Sequence, residues 1–220
     1  MLEWIEKGGY NIMIPLLILS VIAVAFIIER IWTFNRRVPN DVRAKKYVDD
    51  VIPFLKIGDR EALFRYLNEN QGLFSYVFSQ IIFKYDILLT ENLSKEQVRI
   101  ILLSTSEVKA RNYLEEYLSI LNMIGVISPL LGLLGTIFGM INSFAAISQQ
   151  GVGDPQAVAK GINEALITTA TGLTIAIPSV LGYGIFRRYV EGILERIAPF
   201  ENIFVNEFIR SMDVFKKAND

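Results

Sequence analysis

Two stretches without a single charge, separated by a short polar turn, constrain this chain more than any other feature. No charged residue occurs between Glu116 and Asp154, and none between Glu164 and Arg187. About 20 mostly apolar residues cross the hydrocarbon core of a bilayer, so residues 118–147 and 162–186 are each expected to span a membrane. Glu164 opens the second of these, where an ionisable side chain costs on the order of 2.5–3.5 kcal/mol and usually faces a bundle interior or a water-filled path. The alternative is that it sits one turn inside the outer surface, within reach of the head groups.

With 52% hydrophobic residues and a formal net charge of −1, the 220-residue chain is too apolar for an ordinary soluble domain. It has no cysteine and no histidine, which excludes disulfides, thiolate metal sites and the usual general base. No aspartate lies within an expected span, so an intramembrane aspartyl pair is excluded as well. No enzyme activity, metal, cofactor or nucleic-acid partner is expected.

Residues 1–9 form a short outer terminus and residues 10–30 a first span. The slightly acidic start and the Glu29-Arg30 pair differ from a cleavable signal peptide, so this segment reads as retained. Six basic residues against one acid follow between Arg30 and Lys46. The positive-inside rule then places the N-terminus outside and residues 31–117 in the cytoplasm. The basic cluster itself reads as a topology signal facing lipid head groups.

The cytoplasmic portion reads as helical throughout. A first helix starts at Asp41 and ends near Pro53, and Gly58-Asp59 opens a second. Leu73–Leu89 is interrupted by Ser75, Ser79, Gln80, Lys84 and Asp86, and is therefore expected to be buried rather than membrane-spanning. Ser94-Lys-Glu-Gln97 has capping-box spacing, and its helix is expected to run straight into the second span. Residues 148–161 form the outer turn. Residues 187–220 form a C-terminal helix whose Ile193, Ile197, Phe200, Phe204, Phe208 and Phe215 pack on residues 41–117.

The first span is uniformly apolar apart from Ser20, and so can face lipid all round. The second carries small residues including Gly132, Gly135 and Gly139, a spacing that lets helix backbones approach. Plain packing accounts for these glycines, and Pro129 and Pro178 need be no more than kinks. On the third span, Thr168 and Thr171 fall on the Glu164 side at about 100° per residue, while Thr169 lies with Ala165, Gly172 and Ala176 on a narrow small-residue face. A ring of identical subunits, second and third spans inside and first spans outside, covers both faces at least cost.

The run Ser128-Pro-Leu-Leu-Gly-Leu-Leu-Gly-Thr136 through Phe144, followed by Gly161-Ile-Asn-Glu164-Ala-Leu-Ile-Thr-Thr169 through Pro178, resembles the proton-channel family of ExbB, TolQ and MotA. The resemblance implies an all-α inner-membrane protein with three spans, assembled as a homopentamer. It also implies an ExbD- or TolR-like single-span subunit in the central pore and a periplasm-spanning partner of the TonB or TolA type. By motif position it makes Thr136, Thr169 and Glu164 proton-pathway residues, and Thr168 is expected to line the pore with them. Because the helical wheel separates Thr169 from Glu164, Thr169 is placed on the lumen and Glu164 nearer a subunit boundary. Thr168 stands where alanine is common, and its extra hydroxyl leaves sodium open as the coupling ion. A non-conducting scaffold ring is the rival reading.

Overall fold

The structure, a computed structural model, describes residues 9–91, 93–150 and 155–211, without the side chains of 146–150, 155 and 157. The described residues fold into α1 (Tyr10–Arg36), α2 (Asp41–Ile57), α3 (Arg60–Glu69), α4 (Leu73–Leu88), α5 (Lys95–Glu115), α6 (Leu118–Gln150) and α7 (Pro155–Arg210). Three of them, α1, α6 and α7, are long and apolar enough to cross a membrane. This is the all-α membrane architecture expected from the charge pattern; α4 is not among the candidates.

Several boundaries differ from the expected ones for identifiable reasons. Pro53 does not stop α2, which continues to Ile57 and is closed by Gly58 at φ 76°, whose N–H bonds to Phe54 and Leu55 carbonyls. A left-handed residue costs glycine nothing. Residues 148–150, expected in the outer turn, belong to α6, and residues 155–161 to α7; residues 151–154 lie outside the described ones. Pro155, with its fixed φ and missing N–H, suits the first helical position. The expected junction at 186/187 falls inside one helix, since α7 runs unbroken from Pro155 to Arg210, while the division of the chain into compact units comes at Arg187/Arg188. The expected termini 1–8 and 212–220, including Phe215, lie outside the described residues.

The capping box at Ser94 and Gln97 is closed in both directions. The helix it starts does not run straight into the next one. It ends at Glu115, and Tyr117 adopts φ 64°, a conformation uncommon for a bulky side chain. Stacking of Tyr117 on Phe26 at 4.9 Å, with the Arg30 guanidinium 5.3 Å from the same ring, holds it there.

The chain divides into two compact units, one of Met1–Arg30 with Tyr117–Arg187, the other of Ile31–Glu116 with Arg188–Asp220. In the second unit α4 is the core helix, burying Leu73, Phe74, Val77, Phe78, Ile81, Ile82, Tyr85 and Leu88. The C-terminal part of α7 packs on it, as its apolar spacing led one to expect. Phe78 stacks on Phe204 at 3.7 Å, and Tyr85 meets Phe208 edge-on at 5.0 Å. Polar ties at the rim join Arg99 to Asn206 at 2.8 Å and Arg111 to Glu191 at 2.7 Å.

In the first unit α1 is not surrounded by lipid on all sides. It buries a stripe of Ile12, Met13, Leu16, Ala23 and Arg30. Gly182 opens the space this contact needs, since a Cβ there would lie 3.4 Å from Leu121 and 3.5 Å from Ile27. Alternation of aliphatic residues hid the stripe from sequence reading, because both faces of α1 are equally apolar.

Candidate functional site

The site is the seam between α6 and α7. On α6 the buried positions Gly125, Ser128, Gly132, Gly135, Gly139 and Ser143 recur every three or four residues, and on α7 so do Gly161, Ala165, Thr168, Gly172, Ile175 and Ser179. Residues three and four apart share a helix face, so two small-residue stripes meet. They meet at backbone distance: a Cβ on Gly172 would lie 2.5 Å from the Ser128 carbonyl oxygen, and one on Gly132 2.9 Å from that of Thr168. A Cβ on Gly139 would fall 2.7 Å from the Gly161 oxygen, and one on Gly135 would strike the Thr168 side chain. Glycines are therefore required here by closeness of approach rather than by dihedral angle.

Hydroxyls of the seam donate to carbonyls that the membrane offers no water to satisfy. Ser128 Oγ donates to Ile124 O at 2.7 Å, Ser179 Oγ to Ile175 O at 2.7 Å and Ser143 Oγ to Gly139 O at 3.0 Å. Two threonines reach across to the other helix. Thr169 Oγ1 donates to Gly132 O at 3.1 Å, while Thr168 Oγ1 lies 2.8 Å from Ala165 O and 3.3 Å from Gly132 O.

Thr168, which the helical wheel puts on the Glu164 side, is 0% exposed and lies in the seam beside Ala165 and Gly172. Which side of α7 the seam occupies depends on the face that α6 turns to it, which a wheel of one helix does not contain. Thr136 is half-buried on α6 and bonds back to Leu133 O at 2.7 Å, and Thr171 bonds back to Ile167 O at 2.8 Å. Pro129 and Pro178 both lie within unbroken helix.

Glu164 leaves the seam on its flank, half-buried. It lines a cleft of about 370 Å³ together with Gly9, Tyr10, Asn11, Gly135, Phe138 and Asn142. Among the described residues no cation pairs with it. The α1 end of this cleft was not read from the sequence, which gave α1 no role beside the carboxylate. Gly9 stands at φ 76°, and a Cβ on it would collide with the Glu164 carboxyl. That collision, invisible in a linear pattern, identifies the residue that the carboxylate rests against.

Fold and site together define an α-helical membrane protein whose glycine-packed helix pair carries hydroxyls and one carboxylate. A model of the MotA/TolQ/ExbB proton channel family matches residues 73–198. The chain belongs to that family. It is similar to a biopolymer transport protein of Synechocystis sp. described as ExbB-like 3, with 31% identity over 183 residues, 82% of each chain. It is similar to the biopolymer transport protein ExbB of Salmonella typhimurium, with 51% identity over 67 residues, 30% of this chain and 28% of that one. With the Tol-Pal system protein TolQ of Pseudomonas aeruginosa it shares 41% identity over 91 residues, 41% of this chain and 39% of that one.

Proposed function

We propose that this chain is the ring-forming subunit of an inner-membrane motor driven by the proton-motive force, assembled as a pentamer around a single-span ExbD- or TolR-like subunit. The N-terminus lies outside, residues 31–117 and 187–220 in the cytoplasm, and work is delivered outside through a TonB- or TolA-like partner. The observation that carries the reading is Glu164: a carboxyl on a membrane-spanning helix, beside a polar-lined cleft and without a cation among the described residues. A carboxylate that served packing alone at membrane depth would be paired. The family to which the chain belongs supports proton conduction.

In this reading Glu164, Thr136 and Thr169 lie along the path on the ring side, and a carboxylate of the central subunit alternates between charged and neutral. One elementary charge crossing the membrane releases about 2.3 kcal/mol per 100 mV, enough to change which wall the central helices prefer. The seam glycines keep α6 and α7 rigid while that happens. Enclosure of the Thr168 hydroxyl, 0% exposed within the seam, weighs against its recruitment as a sodium ligand and so favours protons.

The test is proton uptake into liposomes that hold the assembly with its co-expressed single-span subunit. Glu164→Gln is expected to abolish flux, and Thr169→Val to reduce it, with the mass of the assembly unchanged by native mass spectrometry. Wild-type flux in E164Q, or a wild-type assembly that conducts nothing under a membrane potential, would overturn the proposal in favour of a scaffold.

A further inference from the structure

In the second unit lies a concave basic site that the motor reading does not use. Arg36 on α1, Arg37 in the link and Arg43 on α2 line one pocket of about 200 Å³, together with Tyr47, Asn70 and Gln71. Among the described residues no carboxylate lines this pocket. The one acid in this stretch of chain, Asp41, lies 3.4 Å from Arg196, whose guanidinium also donates to Pro39 O at 3.3 Å. Among the described residues, none of the three pocket arginines makes an ion pair.

A second, independent feature points into the same pocket. Helix α4, of 16 residues, begins there at Leu73 behind Gly72, with no side chain capping it. The Leu73 N–H is taken by Arg37 O at 3.3 Å, and that bond pins the arginine link against the helix start. The positive end of a helix that no side chain caps favours an anion. Gly72 is needed for the approach, since a Cβ there would lie 3.1 Å from Arg37 O.

Position along α1 indicates which anion. The exposed ring of Trp32 carries the Arg37 guanidinium 5.1 Å from its centroid. Tryptophan marks the membrane–water interface, and Arg36 lies one helical turn further on, about 6 Å, at the depth of the head groups. Arginine forks match two oxygens of one phosphate. We propose that this pocket binds the phosphate of an anionic phospholipid from the adjacent leaflet, the guanidiniums gripping the phosphodiester while the acyl chains run back beside α1. A soluble phosphate ester offers the same group to the same donors, so the experiment separates the two sources.

The full-length protein, delipidated in a neutral detergent, is titrated with short-chain phosphatidylglycerol, short-chain phosphatidylcholine and glycerol phosphate, and binding is read by native mass spectrometry and thermal shift. Phosphatidylglycerol is expected to bind and to raise the melting temperature, with phosphatidylcholine and glycerol phosphate at least about tenfold weaker. The triple variant Arg36→Gln, Arg37→Gln, Arg43→Gln is expected to lose at least about tenfold in phosphatidylglycerol affinity. Lys56→Gln with Lys84→Gln and Lys109→Gln, three basic residues outside the pocket, is expected to leave binding unchanged and serves as the charge-matched control. Equal loss in both variants, or none in the triple one, overturns the site. Binding of glycerol phosphate as tight as that of phosphatidylglycerol overturns the lipid as its ligand.

Discussion

The α6–α7 seam and the α4–α7 core are both helix-on-helix contacts, yet they are held together by opposite means. The seam uses glycines, serines and threonines and brings backbones to within a carbonyl's reach; the core uses stacked rings, with Phe78 and Phe204 0% exposed. In water, apolar area drives association at roughly 25 cal/mol per Å², and large aromatic side chains supply the most. In a bilayer that drive is absent, so close packing and interhelical hydrogen bonds must serve instead. One helix, α7, obeys both rules along its length: Gly161, Ala165, Thr168 and Gly172 early, Ile193, Ile197, Phe204 and Phe208 late.

The aromatic core should therefore be broken most severely by making a hole. Phe204→Ala removes a fully buried ring and is expected to cost about 3–5 kcal/mol, read as a fall in the unfolding midpoint of the solubilised protein. A loss below about 1 kcal/mol would mean that the ring stack contributes little.

A buried carboxyl sharpens the comparison next. Glu201 on α7 is 5% exposed, and neither its Oε1 nor the Ser106 hydroxyl opposite closes a hydrogen bond. Burial pushes its pKa up to about 7; the Ser106 hydroxyl pulls it part of the way back, and Glu107 repels the charge. The native state thus keeps a proton that the unfolded chain releases above the ordinary glutamate value of 4.5. Stability is greatest below that pH and declines as pH rises through about 7, levelling off at a loss of roughly 3 kcal/mol. Glu201→Gln should melt higher than wild type at about pH 8 and show little change down to about pH 5. A wild-type midpoint no more pH-dependent than that of E201Q would remove Glu201 as the cause.

How far the sequence could be read follows the same division. Charge-free runs fix the spans because a charge in hydrocarbon is costly at any position, and the phenylalanines of α7 reveal their partner surface by helical spacing alone. The seam was half legible. Glycine spacing announced a close contact, but which neighbour it served depended on α6 and α7 turning toward each other, which also encloses Thr168. The buried stripe of α1, the Gly9–Glu164 contact and the break at Tyr117 were hidden, because each arises from what another segment places opposite.

Within the seam, adding one methyl is the informative change. Gly172→Ala points a Cβ at the Ser128 carbonyl oxygen, which is backbone and cannot swing aside, so α6 and α7 must separate. A cost of about 1–3 kcal/mol is expected from overpacking. Gly192→Ala, further along the same helix, meets nothing within 4 Å and should be neutral or stabilising by up to about 1 kcal/mol, through helix propensity. Similar losses at both positions would show that helix propensity, not the close approach, governs these glycines.

The smallest effect separates structure from transport most cleanly. Thr168→Val keeps the shape that fills the space beside Gly135 and removes only the hydroxyl shared between Ala165 O and Gly132 O. Interhelical hydrogen bonds in membranes average about 0.6 kcal/mol and reach about 1.7, so the midpoint should fall slightly. Because that hydroxyl is wholly enclosed in a single chain, proton flux should persist in T168V and be lost in E164Q. If T168V instead stops flux while its melting curve stays at wild type, the hydroxyl serves the moving ion, and the seam must open during the cycle to let it do so.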